Sequence, residues 1–556
     1  VVTSGTTPPP ISGGTLLVRG GGEEVVVSDP DHDQLLVVDV AEVKIKSTIA
    51  LQAGDEPGRL VEDADGRVHA VLRGGAAVAT VDAEEGTMIE RRSVCAYPRG
   101  IAYDEGIDSL HVACADGHFV TLPAAGGEPT RVVELERDLR DVVVENGRIW
   151  VSSFRSAELL RLDEDAAVVE RLRPPEVTDF DAQPLAPSVA WRLIAAPGGG
   201  VLMIHQRAKK GEILIEPGGY AGGGCGGIVV TAATLFAPGE APESTASFAA
   251  PLGVDVAVTP ENDAVIVAAA GAIQHGQLAI GVPTVGRVGL ETLRAGTGPE
   301  ETCEFAEPVF SSVTSSGQAV AVAYAGDQLV VQTRDPWLIN VGDRGVAIPG
   351  DSRLDTGHFL FHASTGAGLA CASCHPEGRE DGQTWNFQAI GPRRTQSIGG
   401  VLAATEPFHW GGDEADFTAL VNDVMTGRML GPELQAGHVA ALKGYIDAIP
   451  PWATPAPSDS DAVARGKALF EREDVACATC HSGPNLTNNE SVDVGTGATL
   501  QVPSLLGLAF RAPFLHDGCA ETIGDRFSDC GGSSHGDTSG LSDAELSDLT
   551  TYLESL

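Results

Sequence analysis

The stretch DADGRVHAV (63–71) returns, with Asn for the second Asp, as VENGRIWVS (144–152). Each copy reads as a tight turn, Gly then Arg, that feeds a β-branched strand. The larger unit around it is a surface turn, a strand, a tight turn and a strand. It lies at 61–82, 101–122 and 141–163, a spacing of 40 residues. Further out, short apolar runs keep alternating with turn residues, as in DQLLVVDV (33–40), GGVLMIHQ (199–206), DAVIVAAA (263–270) and DQLVVQT (327–333). That pattern predicts an all-β domain over 15–345. A period near 40 over about 330 residues gives about seven units, the signature of a β-propeller, whose sheets hide their edges by radial closure. A pair of sandwiches or a β-helix is the competing arrangement. Residues 1–14, VVTSGTTPPPISGG, read as a linker left after signal cleavage or trimming.

The chain has 556 residues, with 36 Lys+Arg against 77 Asp+Glu and a net charge of −41. Nucleic acid is excluded as a partner because a phosphate backbone needs a basic footprint. An anionic membrane surface is disfavoured for the same reason. A hydrophobic content of 43% excludes a disordered chain. No apolar run approaches the ~20 residues of a membrane span. The acidic face of 1–345 reads as solvated, and it predicts a basic protein as partner. The 68 Gly and 34 Pro point to a turn-rich fold, and the ten cysteines need an account by spacing.

Four of them stand in CASCH (371–375) and CATCH (477–481). C-x-x-C-H is the attachment motif of c-type haem: two thiols one helical turn apart add to the haem vinyl groups, and the next residue places an imidazole on the iron. Cys371, Cys374, Cys477 and Cys480 are therefore the expected covalent attachment points of two haems c, with His375 and His481 as proximal ligands. A zinc site built from both CxxC pairs leaves the two His unexplained. The second motif lies 106 residues after the first, and the offset extends to Glu406-Pro407-Phe408 against Ala512-Pro513-Phe514. The expected organisation is a duplicated, mainly α cytochrome c unit. Domain I spans 346–452, a linker 453–461, and domain II 462–556. The offset also selects distal candidates. Met429 follows His375 by 54 residues and His535 follows His481 by 54, with Met425 as the fallback for the first. Arg393 and Arg394 are candidates for haem propionates, since the guanidinium fork matches carboxylates. The closing LSDAELSDLTTYLESL carries a capping box, Ser542 with Glu545, ahead of a short amphipathic helix.

Cys95 with Cys114, and Cys225 with Cys303, are candidate disulfides; the alternative for all four is a buried thiol. Cys519 and Cys530 are a third candidate pair, with iron ligation by Cys530 as the alternative.

The strings RLDTGHFLFHASTGAGLACASCHPEGREDG, PFHWGGD, VPSLLGLAFRAPFLHDG and SDAELSDLTTYLESL resemble the bacterial di-haem cytochrome c peroxidase and MauG family over the last ~210 residues. The first part is similar to the YncE/YVTN class of extracytoplasmic propellers. The resemblance implies a periplasmic oxidoreductase in which Trp410 relays electrons between the haems. It also implies Ca²⁺ between the haem units, although no EF-hand pattern is present. A peroxide or small donor would be the substrate, and a basic cytochrome c the redox partner. The family's distal His string is replaced here by AIGPRRTQ, which leaves open a non-catalytic carrier with both irons six-coordinate. A propeller-led binding module is the third reading. His516 is expected to be a structural hydrogen bonder, and His358, His362, His409 and His438 receive no role.

Overall fold

Among the described residues, seven antiparallel sheets of four or five strands follow one another along residues 16–347. The computed structural model describes the chain except 180, 222–226, 238–244, 275–276, 279–283, 296–306, 309–316, 401, 403–404, 455–458, 529 and 531–532. Six sheets have four strands and the fifth in order has five. The leading strands are Leu16–Arg19, Pro57–Glu62, Pro98–Asp104, Leu139–Glu145, Pro184–Ala195, Gly253–Val258 and Gln318–Ala325. Each lies beside the next, and the last lies beside the first. The ring is closed, and the architecture is a seven-bladed β-propeller.

Residue alternation explains why these strands read as unbroken apolar runs. In the strand Glu24–Asp29, Val25 and Val27 pack toward Val330, Ile339 and Val341 of the last blade. Val26 packs the other way, toward Val68, Ala70 and Val81 of the second blade. Both faces of this inner strand are therefore buried and successive side chains serve different neighbours, whereas outer strands such as Lys44–Ala50 and Thr87–Ser93 are largely exposed. Full burial of each such side chain contributes about 1.5–3 kcal/mol. The turns are made by the residues that marked the repeat. Asp63 accepts from the backbone N–H of Asp65 and Arg67. Asn146 and Gly147 both have left-handed φ, and Glu145 pairs with Arg148 across the two-residue turn they form.

Beyond the propeller, two helix pairs carry the packing. Helix Thr356–His362 packs on Ala436–Ala448, and Ser460–Phe470 packs on Asp543–Glu554. The capping box forms, with Ser542 accepting from Glu545 N–H and Glu545 from Ser542 N–H. A glycine sits at each crossing: a Cβ on Gly357 would strike the Ala441 carbonyl, and one on Gly466 the Asp548 carbonyl. The 106-residue offset is visible elsewhere in the backbone. Phe408 bridges Glu414 as Phe514 bridges Ala520, and His409 and Leu515 share a left-handed φ. The backbone thus repeats locally at that offset; among the described residues the longer helices are these pairs and the stretch Phe417–Leu420 continued by Val421–Arg428, and much of the rest is loop, short turn or short strand.

Residues 1–14 do not hang free. Val2 accepts from Thr356 N–H, and the backbone N–H of buried Ile11 donates to His362 Nε2. Cys95 is bonded to Cys114 and Cys519 to Cys530. The expected Cys225–Cys303 pair lies outside the described residues. No helix among the described residues is long and apolar enough to cross a membrane.

Candidate functional site

In the first motif Cys371–Cys374 forms a single helical turn, and His375 N–H closes onto the Cys371 carbonyl at 2.9 Å. In the second, His481 N–H reaches the Cys477 carbonyl at 3.0 Å. All four thiols are unpaired. Each imidazole is fixed by its Nδ1: that of His375 lies 3.0 Å from the Arg379 carbonyl, and that of His481 lies 3.1 Å from the Leu486 carbonyl. A carbonyl only accepts, so Nδ1 carries the proton and Nε2 keeps its lone pair for a metal. Burial holds both rings below their ordinary pKa, hence neutral at pH 7. Burial also pushes the Cys371 thiol up to about 11. Cys371, Cys374 and Cys477 lie against three different apolar clusters. Among the described residues no metal-sized group of donors unites them, which argues against a four-cysteine zinc site.

The surroundings suit a large apolar macrocycle with soft attachment points. Cys374 shares a cluster with Leu369, Trp385, Phe387 and buried Met429. The propeller supplies part of that wall: Ile213, Ile228 and Tyr220 belong to it, and Glu212–Ile213 pairs in parallel with Thr384–Phe387. Met429 ends the π-helical segment Val421–Arg428, a deformation frequent at functional sites. Met425, in the same segment, packs instead in the cluster that touches Cys371. In the second unit the rings of His481 and His535 face each other with centroids 6.3 Å apart. Arg526 Nε donates to His535 Nδ1 at 3.0 Å. Thiols, imidazoles and apolar walls thus fit c-type haem in both units.

The two units meet at Trp410. Its Nε1 donates to the Arg394 carbonyl at 2.7 Å, and its own carbonyl accepts from Gln501 N–H at 2.8 Å. Its ring contacts His516 edge-on at 6.2 Å. His516 is the residue 106 positions later, so equivalent positions of the two copies touch. Arg394 N–H donates to the His516 carbonyl at 2.6 Å. The Arg394 guanidinium is buried against Glu380, at 3.2 Å, and is therefore already partnered. Arg393 is more exposed, and its Nη1 donates to the Pro392 carbonyl.

A second tryptophan, Trp452, lies at the same junction, stacked on Phe510 at 4.6 Å with Tyr97 of the propeller edge-on at 4.6 Å. The Arg379 guanidinium sits 4.6 Å from its ring centroid and that of Arg99 5.7 Å.

The repeat held a further signal that pattern reading missed. Arg59, Arg99 and Arg140 stand near the start of three successive leading strands, 40 and 41 residues apart, and all are buried. They converge in the centre of the ring. Asp141 accepts from Arg59 at 3.3 Å and from Arg192 at 2.7 Å, and Asp255 from Arg192 at 3.2 Å. Glu377, from the loop after His375, enters the same cage. His409, Glu414 and Asp423 place donor atoms within 4.8 Å of one another. Asp423 is already paired with Arg428, and an imidazole is a poor partner for the oxygen-seeking Ca²⁺.

No family model and no curated protein matches the chain. Among solved structures, one of Kuenenia stuttgartiensis hydrazine synthase is similar over 63% of this chain and 98% of its own, at 13% identity and a TM-score of 0.46. A second, of the same enzyme under xenon, covers 38% of this chain and 89% of its own, at 23% identity and a TM-score of 0.34. A virginiamycin B lyase from Staphylococcus aureus covers 62% of this chain and 96% of its own, at 11% identity and a TM-score of 0.38. The propeller assignment stands on this chain's own closed ring of sheets.

Proposed function

We propose that the chain is an extracytoplasmic, periplasmic di-haem c oxidoreductase of the cytochrome c peroxidase/MauG type, with its two cytochrome units seated on a propeller. One observation carries this reading. Two copies of one unit each present a free CxxC pair and a neutral His with Nδ1 tied to a carbonyl, and they touch at Trp410 and His516. Haem iron, when bound, supplies one-electron transfer and peroxide chemistry. The chain's residues supply the rest. Cys371, Cys374, Cys477 and Cys480 tether. His375 and His481 hold their lone pairs toward the iron positions. Met429 and His535 would be the further protein ligands offered to the two haems when bound. Trp410 spans the junction as a relay, its N–H held by a carbonyl dipole that favours positive charge on the indole. The two disulfides accord with an oxidising compartment.

Reduction of one peroxide consumes two electrons and two protons and yields two waters. The electron donor is a basic one-electron carrier such as a cytochrome c, drawn by the charge of −41. The test is peroxide turnover by the holoprotein with a reduced basic cytochrome c, at rising ionic strength. The reading expects oxidation of the cytochrome that slows with salt. Two irons that stay six-coordinate, low-spin and inert to peroxide in every redox state would overturn it. They would establish the second reading, a di-haem electron carrier docked by its propeller. The facing of His481 and His535 is the observation that favours that alternative.

A further inference from the structure

Glu377 stands two residues after His375, in the middle of the loop that fixes the His375 ring. Gly378 N–H donates to the His375 carbonyl, Arg379 N–H to the Pro376 carbonyl, and the Arg379 carbonyl holds His375 Nδ1. The Glu377 side chain leaves this loop and enters the centre of the propeller, where it is only 10% exposed. Arg140 Nη1 lies 2.5 Å from it, Arg73 Nη1 3.2 Å and Arg99 Nη2 3.3 Å. Ser12 Oγ donates to it at 2.6 Å. The three arginines come from three blades. Arg73 is also 3.5 Å from Glu56, and Arg99 is 2.6 Å from Asp138. Among the described ion pairs, the only carboxylate on Arg140 is Glu377.

The duplication supplies a control within the same chain. The position matching Glu377, 106 residues later, is Gly483. Both have left-handed φ, 52° and 73°. A residue with a Cβ is disfavoured in that conformation, so the loop geometry itself asks for glycine. The second copy has it, with open space where a Cβ would stand. The first copy carries a glutamate in that conformation and spends it on the arginine cage.

We propose that Glu377 is a positioning residue: its seat in the arginine cage is how the propeller fixes the loop that orients His375, for the first unit and not for the second. This rests on the reading of two haem-bearing units. The propeller is then a structural part of the first haem site rather than a separate docking module.

The experiment compares the full-length holoprotein with Glu377→Gly, Glu377→Gln and, from the propeller side, Arg140→Gln. Glu377→Gly installs the residue of the second copy and suits the backbone, so the loop itself is not strained by the change. Haem content is counted in every sample, and ferric paramagnetic resonance and redox titration are recorded. The first iron's signal is assigned by its loss in a Cys371→Ser, Cys374→Ser protein. The expected result is two haems in each variant, with the g-values of the first iron shifted and its midpoint potential raised as a buried negative charge is lost. The second iron stays as in wild type. Acetate added to the Glu377→Gly protein moves the first iron back toward wild type by refilling the cage. Unchanged first-iron spectra and potential, or equal changes at both irons, would overturn the proposal. A wild-type protein without two haems would instead overturn the reading beneath it.

Discussion

The rings of His481 and His535 lie 6.3 Å apart, centroid to centroid, with their planes at 38°. Two imidazoles sharing one metal, each nitrogen about 2 Å from it, place their centroids about 6 Å apart. Arg526 works against that sharing. It donates to His535 Nδ1, so the neutral ring keeps its proton on Nε2, the nitrogen a ligand would need bare. On the proposed di-haem reading, His535 would serve as a sixth ligand only with its Nε2 freed of that proton. Replacing Arg526 by Gln, whose amide oxygen accepts from Nδ1–H, is expected to increase the low-spin ferric fraction. His535→Ala is expected to leave a high-spin signal at the second iron. Electron paramagnetic resonance of the ferric protein checks both.

Trp410 and Trp452 both stand between the units, and their surroundings differ. Trp452 lies against the guanidinium groups of Arg379 and Arg99, which oppose removal of an electron from its ring. Trp410 donates its N–H to a carbonyl. Trp410→Phe is expected to slow electron equilibration between the irons by on the order of tenfold, a barrier change of about 1.4 kcal/mol. Trp452→Phe is expected to leave that rate within a factor of about two. Flash photolysis of the half-reduced protein measures it.

The helix pair of the second unit closes over Gly466, where a methyl group would meet the Asp548 carbonyl. Gly466→Ala is expected to destabilise that unit by about 1–3 kcal/mol, as overpacked contacts do, even though alanine favours a helix. Gly444, on the helix Ala436–Ala448, has open space at its Cβ and serves as the control. Gly444→Ala is expected to be neutral or stabilising. Thermal unfolding of the two variants separates packing from propensity.

Asp335 gives the stability a pH dependence. Burial raises its carboxyl to about 6; Arg334 opposes the shift, and Asp31 and Asp355 add to it. Its Oδ1 is buried without a hydrogen-bond partner. The folded state holds this proton more tightly than the unfolded state. Its contribution is therefore most favourable below about pH 4 and declines as pH rises to about 6 and beyond. Asp335→Asn, which tolerates the left-handed φ of 47°, is expected to stabilise the protein at pH 8 by on the order of 1 kcal/mol after screening, and not at pH 4. Chemical denaturation at the two pH values measures the difference.

The propeller was readable because its turns are local. Asp63 and the pair Asn146-Gly147 build their turns from their own side chains and φ preferences, so the 40-residue period survives in the sequence. The duplication was readable for the same reason, since motif, bridge and capping box are short-range. The cage was not. Arg59, Arg99 and Arg140 are separated from their carboxylate partners by up to 278 residues (Arg99 to Glu377), and their recurrence gains meaning only once the ring closes. The first fourteen residues show the same limit. Their Pro, Gly and Thr content reads as linker, yet Ile11 is buried and Ser12 reaches Glu377. The type of Arg394 alone makes it a propionate candidate; its buried pairing with Glu380 is a contact that no local pattern announces.

The proposed function requires two covalent haems on this chain, one on each unit. The direct measurement is a pyridine haemochrome of protein produced with a cytochrome c maturation system, together with the intact mass after acid–acetone extraction. Two haems c per chain that resist extraction are expected, falling to one when Cys371 and Cys374, or Cys477 and Cys480, are replaced by serine. One haem or none in the wild-type protein, or haem that the solvent removes, would contradict it.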